Sequence, residues 1–313
     1  MIMANPTPKP IPFMIVNAFT DSFSGGNPAA IVFLQEDLST EVLQSISTNF
    51  NQPIITFILP PSNSVADGAE HEQEFEQESP SERTFHVRWF TATTEAPVCG
   101  HGSLAAAGAI FSAELVPPSV QTLHFQGVQH GQNISARKVE DKIEVSLANT
   151  PVEALPEEEA EKMKAIVRKG LGKDDAKVHF VGKGMSGFPW DRYLIAEIDA
   201  DDDLANCKIN HNEFIETGYI VNVITSASKD PNVAFLSRMF APAAGLLEDP
   251  VCGSAHTMSV PYWDAKHQHN GATMQAKQVS PRGGDLTVCL QREAGKVTLQ
   301  GEVRVTMKGE IYL

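Results

Sequence analysis

A chain of 313 residues with 42% hydrophobic side chains is long enough to bury a full core and to form two domains of ordinary size. Its formal net charge of −15 excludes nucleic acid and anionic membrane as partners, since either would meet a field of like sign, and an anionic substrate would need a local positive site. No apolar run reaches the length that spans a bilayer and residues 1–12 lack the layout of a signal peptide, so a cytoplasmic protein is expected. Cys99, Cys207, Cys252 and Cys289 lie far apart with no Cys-x-x-Cys spacing, and they read as thiols and not as a zinc site or a disulfide framework.

Residues 1–10 are Pro-rich and polar and read as a disordered lead. Strands are predicted at 13–16 and 29–34. Between them Asp21-Ser22-Phe23-Ser24-Gly25-Gly26-Asn27-Pro28 is either a hairpin turn or a loop whose glycines let backbone approach a ligand to which Asn27 donates its amide. Ser39 or Thr40 caps a helix carrying Leu38, Val42, Leu43, Ile46 and Phe50 at helical spacing, and Pro53 ends it. A doubly buried strand follows at 54–59. Residues 61–82, rich in Glu, Ser, Gln and Pro, cannot offset their ordering entropy and read as a disordered acidic insertion, with an acidic docking tail as the alternative. A strand at 83–91 then delivers the phrase Pro97-Val98-Cys99-Gly100-His101-Gly102-Ser103, and the apolar run 103–111 suits a helix enclosed by sheet.

After Pro117-Pro118, strands are predicted around 123–125, 133–138 and 142–147, and a helix over 157–171 with Met163, Ile166, Val167 and Leu171 on one side. Further strands fall at 177–181, 193–197, 219–225 and 233–240, with a short helix near Glu213. The acidic run 199–203 is a solvated turn and not a calcium site, lacking the loop's Gly and terminal Glu. The phrase then returns as Pro250-Val251-Cys252-Gly253-Ser254-Ala255-His256, following Phe240-Ala241 as the first copy follows Phe90-Thr91, and again running into helix-compatible residues. Strands at 273–279, 286–290, 296–299 and 302–307 close the chain.

A helix that begins at Cys-Gly presents unpaired N–H groups and the positive end of its dipole, which favour an anion or a thiolate, so each cysteine is expected to be acidic and reactive. The alternative is that both turns are buried small residues. Two halves, each with one apolar helix starting at a Cys-Gly turn, predict an α+β fold of two β-barrel-like sheets around central helices, with the site in the cleft between them. The domains are expected at 1–118 and 119–301, with a last strand near 302–313 able to return to the first.

The chain resembles the PhzF-like family, named for an isomerase of phenazine biosynthesis, within the superfamily of diaminopimelate epimerase and proline racemase. The carriers are Ala18-Phe19-Thr20, Gly26-Asn27-Pro28-Ala29-Ala30, Arg88-Trp89-Phe90-Thr91, Cys99-Gly100-His101-Gly102, Phe240-Ala241-Pro242 and Glu248-Asp249-Pro250-Val251-Cys252-Gly253-Ser254-Ala255-His256. The resemblance implies two similar domains and no cofactor or metal. It matches His101, Asp249 and Ser254 to positions lining the PhzF-type site and Asn27 to a substrate-contacting position of the epimerases. Two departures stand out. The family's catalytic Glu precedes a strand in Asn-x-Ser-Glu-Thr-x-Phe; here the segment is Asn51-Gln52-Pro53-Ile54-Ile55-Thr56-Phe57, and the isoleucine at that place cannot move a proton. Cys252 stands where PhzF-like proteins usually carry Thr, whereas the epimerases and racemases have Cys at both turns.

The leading expectation is a cofactor-independent isomerase or epimerase that moves a proton on a carbon α to a carboxyl or carbonyl group. Cys99 and Cys252 act as the acid–base pair, and the helix starts at Gly100, Gly102, Ser103, Gly253, Ser254 and Ala255 hold a small carboxylate- or carbonyl-bearing substrate. The second is a double-bond isomerase or cyclase of secondary metabolism using His101 and Asp249; the third is a non-catalytic small-molecule binding protein. A homodimer is compatible with each.

Overall fold

The structure, a computed structural model, describes residues 10–59, 79–129, 131–185, 187 and 189–313. The expected lead as far as residue 9 and residues 60–78 lie outside the described residues; of the acidic insertion expected over 61–82, residues 79–82 are described, as a turn running into the strand that begins at Glu82. The fold is mixed α and β, mostly sheet with few helices. The described residues form two compact units, one from within Met1–Asn17, Pro28–Ile143 and Val303–Leu313, the other from Ala18–Asn27 and Glu144–Glu302.

The first unit takes its elements from β1 (Ile11–Ala18), β2 (Asn27–Phe33), α1 (Thr40–Phe50), β3 (Ile54–Ile58), β4 (Glu82–Phe90), β5 (Glu95–Ala96), α2 (Gly100–Ser112), β6 (Thr122–Gly127) and β7 (Asn133–Val139). The second follows with β8 (Lys142–Ala148), β9 (Val152–Ala154), α3 (Glu157–Gly170), β10 (Val178–Gly184), β11 (Tyr193–Ile198), β12 (Val221–Ala227), β13 (Phe235–Ala241), β14 (Leu246–Asp249), α4 (Gly253–His267), β15 (Met274–Gln278), β16 (Gly284–Gln291) and β17 (Lys296–Gly301). The last strand, β18 (Val303–Ile311), pairs with β1 in the first unit.

In the first unit β2 runs parallel to β3, β3 antiparallel to β4, β4 parallel to β6 and β6 antiparallel to β7. The long β4–β6 ladder keeps β6 and β7 in this unit, so the chain leaves it between Ile143 and Glu144, well past Pro117-Pro118. Helix α1 starts where Ser39 Oγ accepts the Val42 N–H and stops at Asn51, whose φ of 48° turns the chain two residues before Pro53. Helix α2 is apolar all round and buried from His101 to Ile110, packing on β3, β7 and β18, because Ala and Gly leave no polar face to solvate.

The second unit repeats the ladder: β11 is parallel to β12, β12 antiparallel to β13, β13 parallel to β15 and β15 antiparallel to β16. Helix α3 buries Met163 and Val167 and carries Glu157, Glu158 and Glu159 in its first turn, where the dipole favours anions. The 199–203 run makes a short 3₁₀ turn: Asp199 Oδ1 accepts the Asp201 N–H, while Asp202 accepts the Lys177 N–H and pairs with Lys173. Helix α4 contains Pro261, which lacks an N–H and so frees the Thr257 carbonyl. That carbonyl accepts the Thr150 N–H at 3.0 Å, with the two threonine hydroxyls 3.2 Å apart. Among the described residues no helix is long and apolar enough to cross a membrane, and no group of three or more His, Cys, Asp or Glu side chains could hold a metal ion.

Candidate active site

Both Cys-Gly phrases form the same local structure, a cysteine N-cap followed by a helix. Cys99 is extended (φ −145°, ψ 113°) and its Sγ accepts the Gly102 N–H at 3.4 Å; Cys252 is extended (φ −97°, ψ 109°) and its Sγ accepts the Ala255 N–H at 3.4 Å. In each case sulfur takes the place that Ser or Asp oxygen takes in an ordinary cap, and an N–H aimed at sulfur favours its anionic form. Each turn is anchored four residues upstream by a buried ion pair. Arg88 holds Glu95 through two bonds of 2.8 and 2.7 Å and lies over the Phe90 ring; Arg238 holds Glu248 through two bonds of 2.7 Å and lies over Phe240. All four cysteines are thiols.

In the first unit His101 follows the cap, with Nδ1 3.4 Å from Cys99 Sγ. Burial holds its imidazole down at about 4, so it is neutral at pH 7. A neutral imidazole and a thiol share one proton across that contact, and the other ring nitrogen, Nε2, is buried without a protein partner. Thr56 Oγ1 and Trp89 Nε1 are likewise buried without a partner, and the two residues face each other across the β3–β4 ladder. A Cβ at Gly102 would sit 2.8 Å from Thr56 Oγ1 and 3.1 Å from Ile54 Cγ2, so glycine is what lets the helix start close onto β3. Ile54 is therefore a buried hydrocarbon neighbour of the α2 start. Ser103 spends its hydroxyl inside the helix, donating to the Cys99 carbonyl at 2.8 Å.

In the second unit polar groups converge. Asp249 Oδ1 accepts from Asn27 Nδ2 at 2.6 Å and from the Val251 N–H at 3.1 Å, and burial pushes its carboxyl up to about 6 against the opposing pull of Val251, Cys252 and Asn27. Gln278 Oε1 accepts the Cys252 N–H and its Nε2 donates to the Asp249 carbonyl. Ser254 Oγ lies 3.2 Å from both Cys252 Sγ and the Tyr193 hydroxyl. His256, held down at about 4 chiefly by burial, meets the Cys252 carbonyl through Nδ1 at 2.7 Å.

The structure thus gathers Cys99, Gly100, His101, Gly102 and Ser103 in one unit and Asn27, Asp249, Cys252, Gly253, Ser254 and Ala255 in the other. Asn27 differs from its expected part. Both its amide hydrogens are committed, to Asp249 and to the Val251 carbonyl, so what it leaves buried and unpartnered is Oδ1, an acceptor. The glycines before it serve the protein's own packing: Gly26 has φ +67°, and a Cβ there would fall 2.3 Å from the Ala18 carbonyl oxygen. Arg282 donates to the Gly26 and Gly25 carbonyls. Sequence reasoning missed Thr56, Tyr193, Gln278 and the Arg88–Glu95 and Arg238–Glu248 pairs. The pairs carried a signal, since each Glu stands four residues before its cysteine.

A family model described as "Phenazine biosynthesis-like protein" matches residues 16–309. The human phenazine biosynthesis-like domain-containing protein is 30% identical, covering 96% of this chain and 99% of its own. An uncharacterized isomerase of Halalkalibacterium halodurans is also 30% identical, covering 96% and 98%. Among solved structures, a phenazine biosynthesis protein of the PhzF family from Enterococcus faecalis has a TM-score of 0.79 at 28% identity, covering 97% of this chain and 100% of that one. A probable proline racemase from Agrobacterium radiobacter with bound carbonate has a TM-score of 0.59 at 10% identity, covering 97% and 93%, a likeness of fold.

Proposed function

The chain belongs to the phenazine biosynthesis-like, or PhzF, family, and from that we propose that it is an isomerase moving a proton on a carbon α to a carboxyl or carbonyl group, with Cys99 and Cys252 as the acid–base pair. One thiolate takes the carbon-bound proton, breaking C–H and forming S–H while charge spreads onto the neighbouring oxygen. The other thiol delivers its proton to the opposite face of the same carbon, forming the new C–H bond and leaving a thiolate. The helix-start N–H groups hold the substrate's anionic oxygen, so the reading calls for no cofactor. What supports it most is that both sulfurs cap helices through N–H···S bonds while the family's carboxylate position holds the buried side chain of Ile54.

The test is proton exchange in heavy water on a panel of small carboxylates and ketones bearing an acidic C–H, followed by mass spectrometry and stereochemical analysis. Cys99→Ser and Cys252→Ser are each expected to slow exchange by about 100-fold or more. A second reading, proton transfer by His101 and Asp249, draws on the unpartnered His101 Nε2 and on the Asp249 carboxyl raised to about 6, within reach of neutral-pH chemistry. It requires the double Cys→Ser variant to keep full activity and His101→Gln or Asp249→Asn to lose it. No exchange with any substrate of the panel would favour a binding protein.

A further inference from the structure

We propose that Tyr193 is a positioning residue for Cys252: its hydroxyl donates to Ser254 Oγ and thereby turns the Ser254 proton onto Cys252 Sγ. The inference rests on Cys252 acting as a base. Each of the two contacts spans 3.2 Å, and a serine hydroxyl has one proton to give. If Tyr193 supplies a donor to that oxygen, the serine proton is left for sulfur, and the chain runs O–H to O–H to S⁻ with every hydrogen used once.

Tyr193 is well placed to hold this direction. It is half-buried at the first residue of β11, fixed by its ladder pairing with Val221, and its ring rests against Trp190 at a centroid distance of 5.1 Å. At the corresponding place of the first unit stands Ala29, which pairs with Ile54 as Tyr193 pairs with Val221 and carries no hydroxyl.

The need for such a donor follows from the other groups around Cys252. Asp249, on β14, lies within hydrogen-bonding reach of the Cys252 side chain, and an ionised carboxylate there opposes a second negative charge on sulfur. His256, on α4, is neutral and meets the Cys252 carbonyl instead of its sulfur. Asn27 and Gln278 spend their amide hydrogens on Asp249, Val251 and the Asp249 carbonyl. The Ala255 N–H and the Ser254 hydroxyl both lie against the sulfur and can offset Asp249 there.

The test follows the Cys252 Cβ signal by NMR from pH 5 to 10 in the full chain labelled with [3-¹³C]cysteine, with Cys207→Ser and Cys289→Ser as background and Cys252→Ser for assignment. Tyr193→Phe is expected to raise the midpoint of Cys252 ionisation by roughly one pH unit and Ser254→Ala by at least as much, with Cys99 unmoved. The double variant is expected to match Ser254→Ala alone, because Tyr193 acts through that hydroxyl. A Tyr193→Phe midpoint equal to the parent's overturns the proposal. So does an equal Tyr193→Phe shift with Ser254 absent, or a Cys252 signal that stays thiol to pH 10 in the parent. The titration needs no substrate: the expected shifts without any proton exchange would count against the proposed function alone.

Discussion

The two Cys-Gly turns share a backbone and differ in nearly every side chain that surrounds the sulfur. Where the second unit has Asp249, the first has Ala96; Ser254 corresponds to His101 and Ala255 to Gly102. The ladder registers extend the match: Val221 holds the place of Ile54, Val223 that of Thr56, Met239 that of Trp89 and Tyr193 that of Ala29. The constant parts are the Arg–Glu pair, the Pro-Val-Cys-Gly phrase and the N–H···S cap. Geometry is set by what the units have in common and acid–base character by what they do not. One cysteine has an imidazole beside it, the other a carboxyl and two hydroxyls.

The largest effect that can break this comparison is on exchange itself. If both turns do chemistry, Cys99→Ser and Cys252→Ser each lower turnover by about 100-fold or more; a large loss in one and none in the other would leave a single working turn. Next come the anchors. Arg88 and Arg238 are each about 5% exposed, and truncating either to Ala strands a half-buried glutamate, which costs about 2 to 4 kcal/mol in urea unfolding. Equal losses would confirm that the two pairs do equal structural work.

Acid separates the turns. Between pH 6.5 and about 4 an unfolded His101 takes up a proton that the folded imidazole refuses, so stability falls as pH is lowered through that window. Asp249 has the opposite sign. Its folded carboxyl, raised to about 6, binds the proton before the unfolded one at 3.8, so its contribution favours folding at low pH and is lost as pH rises through about 6. In urea titrations at pH 7, 6, 5 and 4.5, the stability difference between His101→Gln and the parent should shift in the variant's favour on acidification, by up to about 3 kcal/mol. Asp249→Asn should shift the other way. The smallest effect is Gly102→Ala, which gives the first turn the methyl that Ala255 already carries in the second. Its Cβ would press on Thr56 and Ile54, and a loss of about 2 kcal/mol is expected in the same assay.

Much of this was legible because the informative signals are local. The repeated phrase located both helix starts, the Ala-rich run after Ser103 marked an enclosed helix, and the all-buried burial pattern of β3 follows from Ile54-Ile55-Thr56-Phe57-Ile58. The acidic run at 199–203 was readable as a turn from its composition, though not its ties to Lys173 and Lys177. What escaped was the company each residue keeps across the sequence. Asn27 and Asp249 are 222 positions apart, Tyr193 and Ser254 are 61 apart, and no periodicity links them. Asn27 was expected to offer a donor because Asn can; only the Val251 carbonyl and the Asp249 carboxyl show its donors spent and its oxygen left over.

Pro261 bears on the order in which this site comes into being. A proline inside a helix lowers its intrinsic propensity by about 3 kcal/mol and divides α4 into stretches too short to persist alone in water. The helix that Cys252 caps is therefore a poor nucleus for folding. The carbonyl that Pro261 leaves open is closed by Thr150, a residue 107 positions earlier in the chain and so already out of the ribosome when α4 emerges. The helix behind the Cys252 cap thus closes on a partner that precedes it in synthesis, and the thiol proposed above for proton transfer depends on a segment made before its own helix.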